Sequence, residues 1–261
     1  MPFTAMQAGR WISNPLPNEQ NADAQADAEA RKRGFCECGS QVGCSKERPT
    51  AQVENFRKGK IHLKHVGTKT IETTRLTLRK LELTDAEMMF RNWTCDDKVT
   101  RFLRWDAHKT IDDTKSMIQQ WINNYQYDST YYWGMYLRNG EMIGSIGITI
   151  ISEYDFKGEL GYKIGSRWWN QGYSSEAARA VIEYMFRNTD IERIDAFSSV
   201  ENPASRKVME KVGMHYVGLL RHYYKTRDGF HDCTLYEIIR NEWEHFSRES
   251  ERGGFPGGIN S

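Results

Sequence analysis

The sequence predicts an α/β fold, a mixed sheet flanked by helices, and three observations carry that prediction. Segments of strand and helix character follow one another as β, α, α, β, β, β, α, β, α, β, β over residues 70–240. Asn139-Gly140 separates two long apolar stretches, which is the strongest short signal for a hairpin. Between residues 159 and 188 a strand, a polar glycine-containing loop and a helix follow in direct succession.

Residues 75–83 (RLTLRKLEL) alternate Leu76 with Leu78 and, after a break, Leu81 with Leu83, which reads as a first strand. Thr84-x-x-Glu87 has the form of a capping box, so a helix carrying Met88, Met89 and Phe90 follows. Thr110-x-x-Asp113 opens a second helix, with Ile111, Met117, Ile118, Trp121 and Ile122 on one apolar stripe. Residues 131–137 and 141–152 are the strands either side of Asn139-Gly140. ELGYKIG (159–165) is the next strand, and the loop WWNQGYSS leads into a helix. That helix places Ala177, Ala180, Val181, Tyr184 and Met185 at i, i+3, i+4, i+7 and i+8 and runs to about Asn188. RIDAFSSV (193–200) is a strand. Asn202 then caps a helix with Pro203 in its first position and Gly213 just past its end. Residues 214–225 and 231–240 form a closing hairpin around Asp228-Gly229.

Composition bounds the function. With 261 residues, a net charge of +1 and 27% charged residues of mixed sign, the chain lacks the basic excess of a dedicated nucleic-acid binder. No run approaches a membrane span and the first 30 residues lack the apolar stretch of a signal peptide, so a cytoplasmic protein is expected. Residues 1–68 carry no sustained periodicity and read as a disordered or loosely structured extension. Residues 69–245 read as the folded domain and 246–261 as a flexible tail. The five cysteines, at 36, 38, 44, 95 and 233, are too few and too scattered for a disulfide framework. Cys36, Cys38 and Cys44 with His62 and His65 offer enough donors for zinc, but C-x-C is not the usual ligand spacing. Reduced thiols are the default and no metal is expected.

The chemistry concentrates in the loop at 168–175. A helix beginning after such a loop presents unpaired N–H groups and its positive dipole end, which suits a pyrophosphate, and Gly172 allows close approach to the backbone.

Four motifs in this order resemble the acetyl-CoA-binding core of the GNAT acetyltransferase superfamily, in particular its RimJ/RimL type. They are TTRLTLR near residue 75, the W-x-x-G-Y-x-x-E-A loop, NPASRKVMEKVG from Asn202, and the closing aromatic hairpin. The resemblance covers roughly residues 70–243. It implies a three-layer fold with a central, mostly antiparallel twisted sheet of about seven strands and about four helices. It implies acetyl-CoA as co-substrate, with the pyrophosphate held by backbone amides of Asn170, Gln171, Gly172, Tyr173, Ser174 and Ser175. By the same resemblance Asn202 bonds the pantetheine arm, and Ser205 lies near the sulfur. Where many relatives place a tyrosine as acid this chain has Met209, which donates no proton. Ser205 is therefore the candidate to stabilise or protonate the leaving thiolate. A backbone N–H near Tyr162 to Ile164 is the implied oxyanion donor. For the base, Tyr224 occupies the position where some relatives carry a glutamate; Glu159, acting through water, is the next candidate, followed by His215, His222 and His231.

A weak base favours an acceptor that is already partly neutral. At pH 7 an α-amine near 7.8 is neutral in roughly one molecule in seven, a lysine in roughly one in 2,500. The leading expectation is an N-acetyltransferase for the N-terminus of a protein or peptide, ribosomal or other, acting as a monomer or homodimer. A small-amine acetyltransferase for aminoglycosides or polyamines is the alternative within the class, and a catalytically weak acyl-CoA-binding module the alternative outside it. Trp105, Trp121, Tyr125, Tyr131, Tyr132 and Trp133 are either walls of an acceptor groove or core.

Overall fold

Leu76 and Leu78, the alternating pair that opens the sequence pattern, are buried with no measurable exposure, and the sheet is built outward from them. The computed structural model describes residues 62–251, with side chains through His245. The strands are β1 (Ile71–Glu72), β2 (Leu76–Arg79), β3 (Tyr131–Leu137), β4 (Met142–Ser152), β5 (Lys157–Ile164), β6 (Arg193–Ser199), β7 (His215–Thr226) and β8 (Gly229–Ile239). They form one sheet in the order β1-β2-β3-β4-β5-β6-β8-β7. Every pairing is antiparallel except β5 with β6. The helices are α1 (Ala86–Met89), α2 (Asp97–Thr100), α3 (Ile111–Asn124), α4 (Tyr173–Asn188), α5 (Pro203–Lys211) and α6 (Arg240–Glu251). The expected α/β architecture is present, with eight strands where about seven were read, because the two-residue β1 has too little pattern to register. Helix α6 also was not read from the sequence.

Two apolar layers sandwich the sheet. Leu76, Leu78, Ile146, Leu160, Ile194 and Ile238 pack against α4 on one face. Met89, Trp93, Ile118, Tyr132 and Met142 gather under α1 and α3 on the other. The six aromatic residues offered for a groove are mostly core. Tyr131, Tyr132 and Trp133 are buried, Trp121 stacks on Tyr132 at 3.7 Å between centroids, and the Tyr125 hydroxyl donates to the Tyr132 carbonyl at 2.9 Å.

Local chemistry explains where the elements begin. The Thr110–Asp113 box is formed, with the Thr110 N–H donating to Asp113 at 2.9 Å and the Asp113 N–H to Thr110 Oγ1 at 3.3 Å. The box expected at Thr84–Glu87 is not the one that forms. Asp85 accepts the Glu82 N–H at 2.8 Å, so β2 stops at Arg79 and a helical turn begins at Leu83. After α1 the chain widens into a π turn over residues 90–94, where the Cys95 N–H reaches back five residues to the Phe90 carbonyl.

Among the described residues, packing on the core starts at Leu63, which is 3% exposed. Its N–H donates to Glu153 at 3.1 Å, His65 sits 2.8 Å from Glu153 and 3.1 Å from the Tyr131 hydroxyl, and Tyr184 donates to the Gly67 carbonyl at 2.7 Å. A chain starting at Thr68 loses all of these. Burial of one leucine contributes about 1.5–3 kcal/mol, and each kcal/mol moves the melting midpoint of a domain of this size by roughly 2–4 °C. Thermal melts of chains starting at His62 and at Thr68 are expected to differ by about 5–10 °C; equal midpoints would show that residues 62–67 add nothing.

Among the described residues no helix is long and apolar enough to cross a membrane, and no cluster of three His, Cys, Asp or Glu side chains is placed to hold a metal. Cys36, Cys38 and Cys44 lie outside the described residues.

Candidate active site

The site is set by the single parallel junction of the sheet. β5 and β6 pair only at Lys157–Arg193, Gly158–Ile194 and Glu159–Asp195, although both strands continue for several residues beyond. Past Glu159 they diverge and leave a gap. The Gly165 N–H donates to the Ile143 carbonyl of β4 at 2.9 Å. By the alternation of a strand, the Tyr162 and Ile164 N–H groups point the other way, into the gap.

The loop from β5 to α4 runs along this gap. A Cβ on Gly165 would lie 2.4 Å from the Asn92 carbonyl, so only glycine allows the π turn to press against the end of β5. Trp168 is buried in the core, while Trp169 is exposed and its Nε1 donates to the Ile164 carbonyl at 3.0 Å. Asn170 and Gly172 both take left-handed backbone angles, with φ of 59° and 81°. Gly172 is the N-cap of α4, and no side chain caps the helix there. The first intrahelical bond is from the Glu176 N–H to the Gly172 carbonyl at 3.0 Å. The amides of Tyr173, Ser174 and Ser175 therefore have no helical acceptor. Ser174 is small and buried, and Gln171 bends its side chain back to the Arg167 carbonyl at 2.9 Å. The open amides and the dipole end suit an anionic group such as a pyrophosphate.

Arg75 joins this loop to the start of the sheet, although the two motifs are a hundred residues apart. Its Nε donates to Glu176 at 2.6 Å, its N–H to the same carboxylate at 2.8 Å and its Nη1 to the Gln171 carbonyl at 2.9 Å. The guanidinium lies over the Tyr173 ring at 4.4 Å. Burial alone would raise the Glu176 carboxyl, but bonds from Thr73, the Arg75 amide and the Arg75 guanidinium hold it below the usual carboxylate range. No local pattern announces a contact at that separation.

On the same side of the sheet, Asn202 caps α5 by accepting the Ser205 N–H at 3.2 Å. Ser205 Oγ lies 2.8 Å from the Tyr162 hydroxyl, which is also 3.0 Å from the Ser205 carbonyl. Burial pushes the Tyr162 phenol well above its ordinary range, against a smaller lowering by the Ser205 bond. Tyr162 entered the sequence reading as an apolar position and as a backbone donor; its hydroxyl was missed because strand alternation says nothing about α5. Met209 is 1% exposed and part of the core.

The base candidates fall elsewhere. Glu159 is an odd number of residues from Tyr162 on the unbulged β5, so it lies on the opposite face, beside Asp195 at the last β5–β6 pair. Tyr224 is buried. Its hydroxyl donates to the Phe102 carbonyl at 3.1 Å, and burial pushes it up to about 12. A phenol held this way tethers the segment after α2 to the closing hairpin and is not a base near neutral pH. His215 lies 3.8 Å from Glu242, the His222 ring stacks on Phe230, and His231 lies 2.8 Å from Thr226 Oγ1.

Comparisons with known proteins identify the family. Residues 75–215 match the family model described as an acetyltransferase (GNAT) domain. The chain is similar to the uncharacterized N-acetyltransferase YoaA of Bacillus subtilis, at 32% identity over 171 residues, 65% of this chain and 96% of that one. It is 27% identical over 181 residues to the putative ribosomal N-acetyltransferase YdaF of the same organism, 65% of this chain and 93% of that one. Among solved structures, a GNAT-family acetyltransferase from Bacillus anthracis superposes with a TM-score of 0.60 at 26% identity, covering 66% of this chain and 99% of that one. The chain belongs to the GNAT family of N-acetyltransferases.

Proposed function

We infer that the chain acetylates the N-terminal α-amine of a protein or peptide, by direct attack in a ternary complex. Acetyl-CoA, when bound, supplies a thioester whose carbonyl carbon an amine can attack. The backbone amides of residues 170–175 hold its pyrophosphate, with Gly172 admitting close approach. Asn202 orients the pantetheine arm, the Tyr162 N–H in the gap faces the developing oxyanion, and Ser205 faces the sulfur. The amine enters from the other face, where Glu159 receives its proton through water.

One observation carries the choice of acceptor. Of the base candidates, Tyr224 is committed to the Phe102 carbonyl with its phenol pushed up to about 12, and His215, His222 and His231 sit in the closing hairpin against Glu242, Phe230 and Thr226. That leaves a carboxylate, which serves an amine already partly neutral and is poorly matched to lysine or to an unperturbed polyamine. The resemblance to YdaF, whose name refers to the ribosome, supports the same reading.

The test is turnover of acetyl-CoA against peptides with free N-termini, the same peptides Nα-acetylated, polyamines and aminoglycosides. Free peptides are expected to be acetylated at neutral pH and the blocked ones to be inert even when they contain lysine. Preference for small amines would replace the acceptor class. Tight CoA binding without turnover on any amine would make the chain a binding module.

A further inference from the structure

Ser205 Oγ does not stand alone. Two hydroxyls and one carbonyl form a closed set: Tyr162 O–H, Ser205 O–H and the Ser205 C=O, with contacts of 2.8 and 3.0 Å. Two protons serve the set, so it has two arrangements. In one, Tyr162 donates to the carbonyl and Ser205 donates to Tyr162, and nothing is offered outward. In the other, Tyr162 donates to Ser205 Oγ and the Ser205 proton is free to point out. A negative charge outside the pair selects the second arrangement, and the bond from Tyr162 strengthens Ser205 as a donor.

We propose that Tyr162 and Ser205 act as one unit, Tyr162 donating to Ser205 Oγ and Ser205 donating to the CoA sulfur, so that the leaving group is stabilised as a thiolate without receiving a proton from either. This rests on the reading above that Ser205 faces the sulfur; Tyr162 is then a positioning residue that never touches substrate. In the transfer the amine lone pair forms the C–N bond, and the C–S electron pair stays on sulfur. The amine proton leaves through water toward Glu159. No proton need come from the hydroxyl pair, and none is available. An ordinary phenol titrates near 10 and an ordinary thiol near 8.5, and burial moves Tyr162 further from the thiol. A donor of that kind hydrogen-bonds a thiolate and keeps its proton.

The signature is in binding as well as rate. A bond to thiolate favours the ionised thiol of free CoA, so CoA affinity rises with pH through the thiol's titration and levels off above it. About tenfold is gained for each unit by which the bound thiol is lowered. The charged groups on the surrounding elements are Arg206, Lys207, Glu210 and Lys211 on α5, Glu176, Arg179, Glu183 and Arg187 on α4, and Lys157, Glu159 and Lys163 on the far face of β5. Desulfo-CoA, which meets the same groups and lacks the sulfur, controls for them.

Calorimetry from pH 6.5 to 9.5 is expected to show roughly a tenfold gain for CoA and none for desulfo-CoA. Tyr162→Phe should reduce the gain to about threefold or less and lower kcat about tenfold with KM for acetyl-CoA unchanged. Ser205→Ala should abolish the gain. In the double variant kcat should match Ser205→Ala within about twofold, since Tyr162 acts only through Ser205. A full pH-dependent gain retained in Tyr162→Phe, or additive losses in the double variant, overturns the proposal. Absence of CoA binding to the wild-type chain would instead defeat the reading of the site as a CoA site.

Discussion

Gly172→Glu is expected to weaken CoA binding by about one to three orders of magnitude while leaving the protein folded. The residue has φ of 81°, caps α4 without a side chain, and lies where a Cβ would come within 3.4 Å of the Arg75 guanidinium. A non-glycine residue in this backbone region costs about 1–2 kcal/mol. A carboxylate at a helix N-terminus also occupies the field that would otherwise favour the ligand's own charge, by about 0.3–2 kcal/mol. Together these amount to about 1.3–4 kcal/mol, which lowers affinity roughly 10- to 700-fold, because each 1.4 kcal/mol is about a factor of ten. Gly172→Ala imposes the backbone cost alone and should lose about tenfold. Calorimetry with CoA, alongside circular dichroism, separates the two. Near-wild-type affinity in Gly172→Glu would reduce the loop to a plain connection between strand and helix.

The second large effect is on stability. Asp85 is 1% exposed and accepts four hydrogen bonds: from Arg79 at 2.8 and 3.1 Å, from the Tyr136 hydroxyl at 2.7 Å, and from the Glu82 N–H at 2.8 Å. Asp85→Ala leaves a buried phenol, an amide and the inner end of the Arg79 guanidinium, whose side chain is 30% exposed, without their shared acceptor. Removing one partner of a buried ion pair costs about 3–5 kcal/mol, which corresponds to a fall in melting midpoint of roughly 6–20 °C. Asp85→Asn, which keeps an acceptor and removes the charge, should fall between. A midpoint within about 3 °C of wild type for Asp85→Ala would mean that water reaches the cluster.

The elements that could be read were those whose signal is local. Pro203 after Asn202, Gly213 after α5, the Thr110–Asp113 box and the apolar stripe of α4 each lie within a few residues of the structure they specify. Asp85 shows the limit of such reading. Thr84-x-x-Glu87 has the form of a box, but Asp85 has a stronger set of partners because Arg79 and Tyr136 converge on it from the sheet. The candidate site divides the same way. The amide-rich loop and the Asn202 cap are contiguous and were legible. The Tyr162–Ser205 contact joins positions 43 apart and the Arg75–Glu176 contact positions 101 apart, and these depend on which strands become neighbours. Glu159 and Tyr224 could be named as base candidates but not placed, because the face of β5 and the partner of a hairpin phenol are tertiary facts.

The sheet order also bears on how the chain is made. Strands β1 to β6 are added side by side in the order of synthesis, but β8 is inserted between β6 and β7. While the chain emerges from its N-terminus, the outer edge of β6 thus waits for a strand that begins at Gly229, thirty residues after β6 ends at Ser199. Until then β6 presents a row of unpaired backbone groups, and the segment carrying Ser205 has no finished sheet to rest on. An exposed strand edge invites pairing with another chain. The half of the molecule that holds Ser205 and the closing hairpin is therefore the one most exposed to misassembly, and a truncation within β8 would leave the loop at 168–175 on a sheet with an open side.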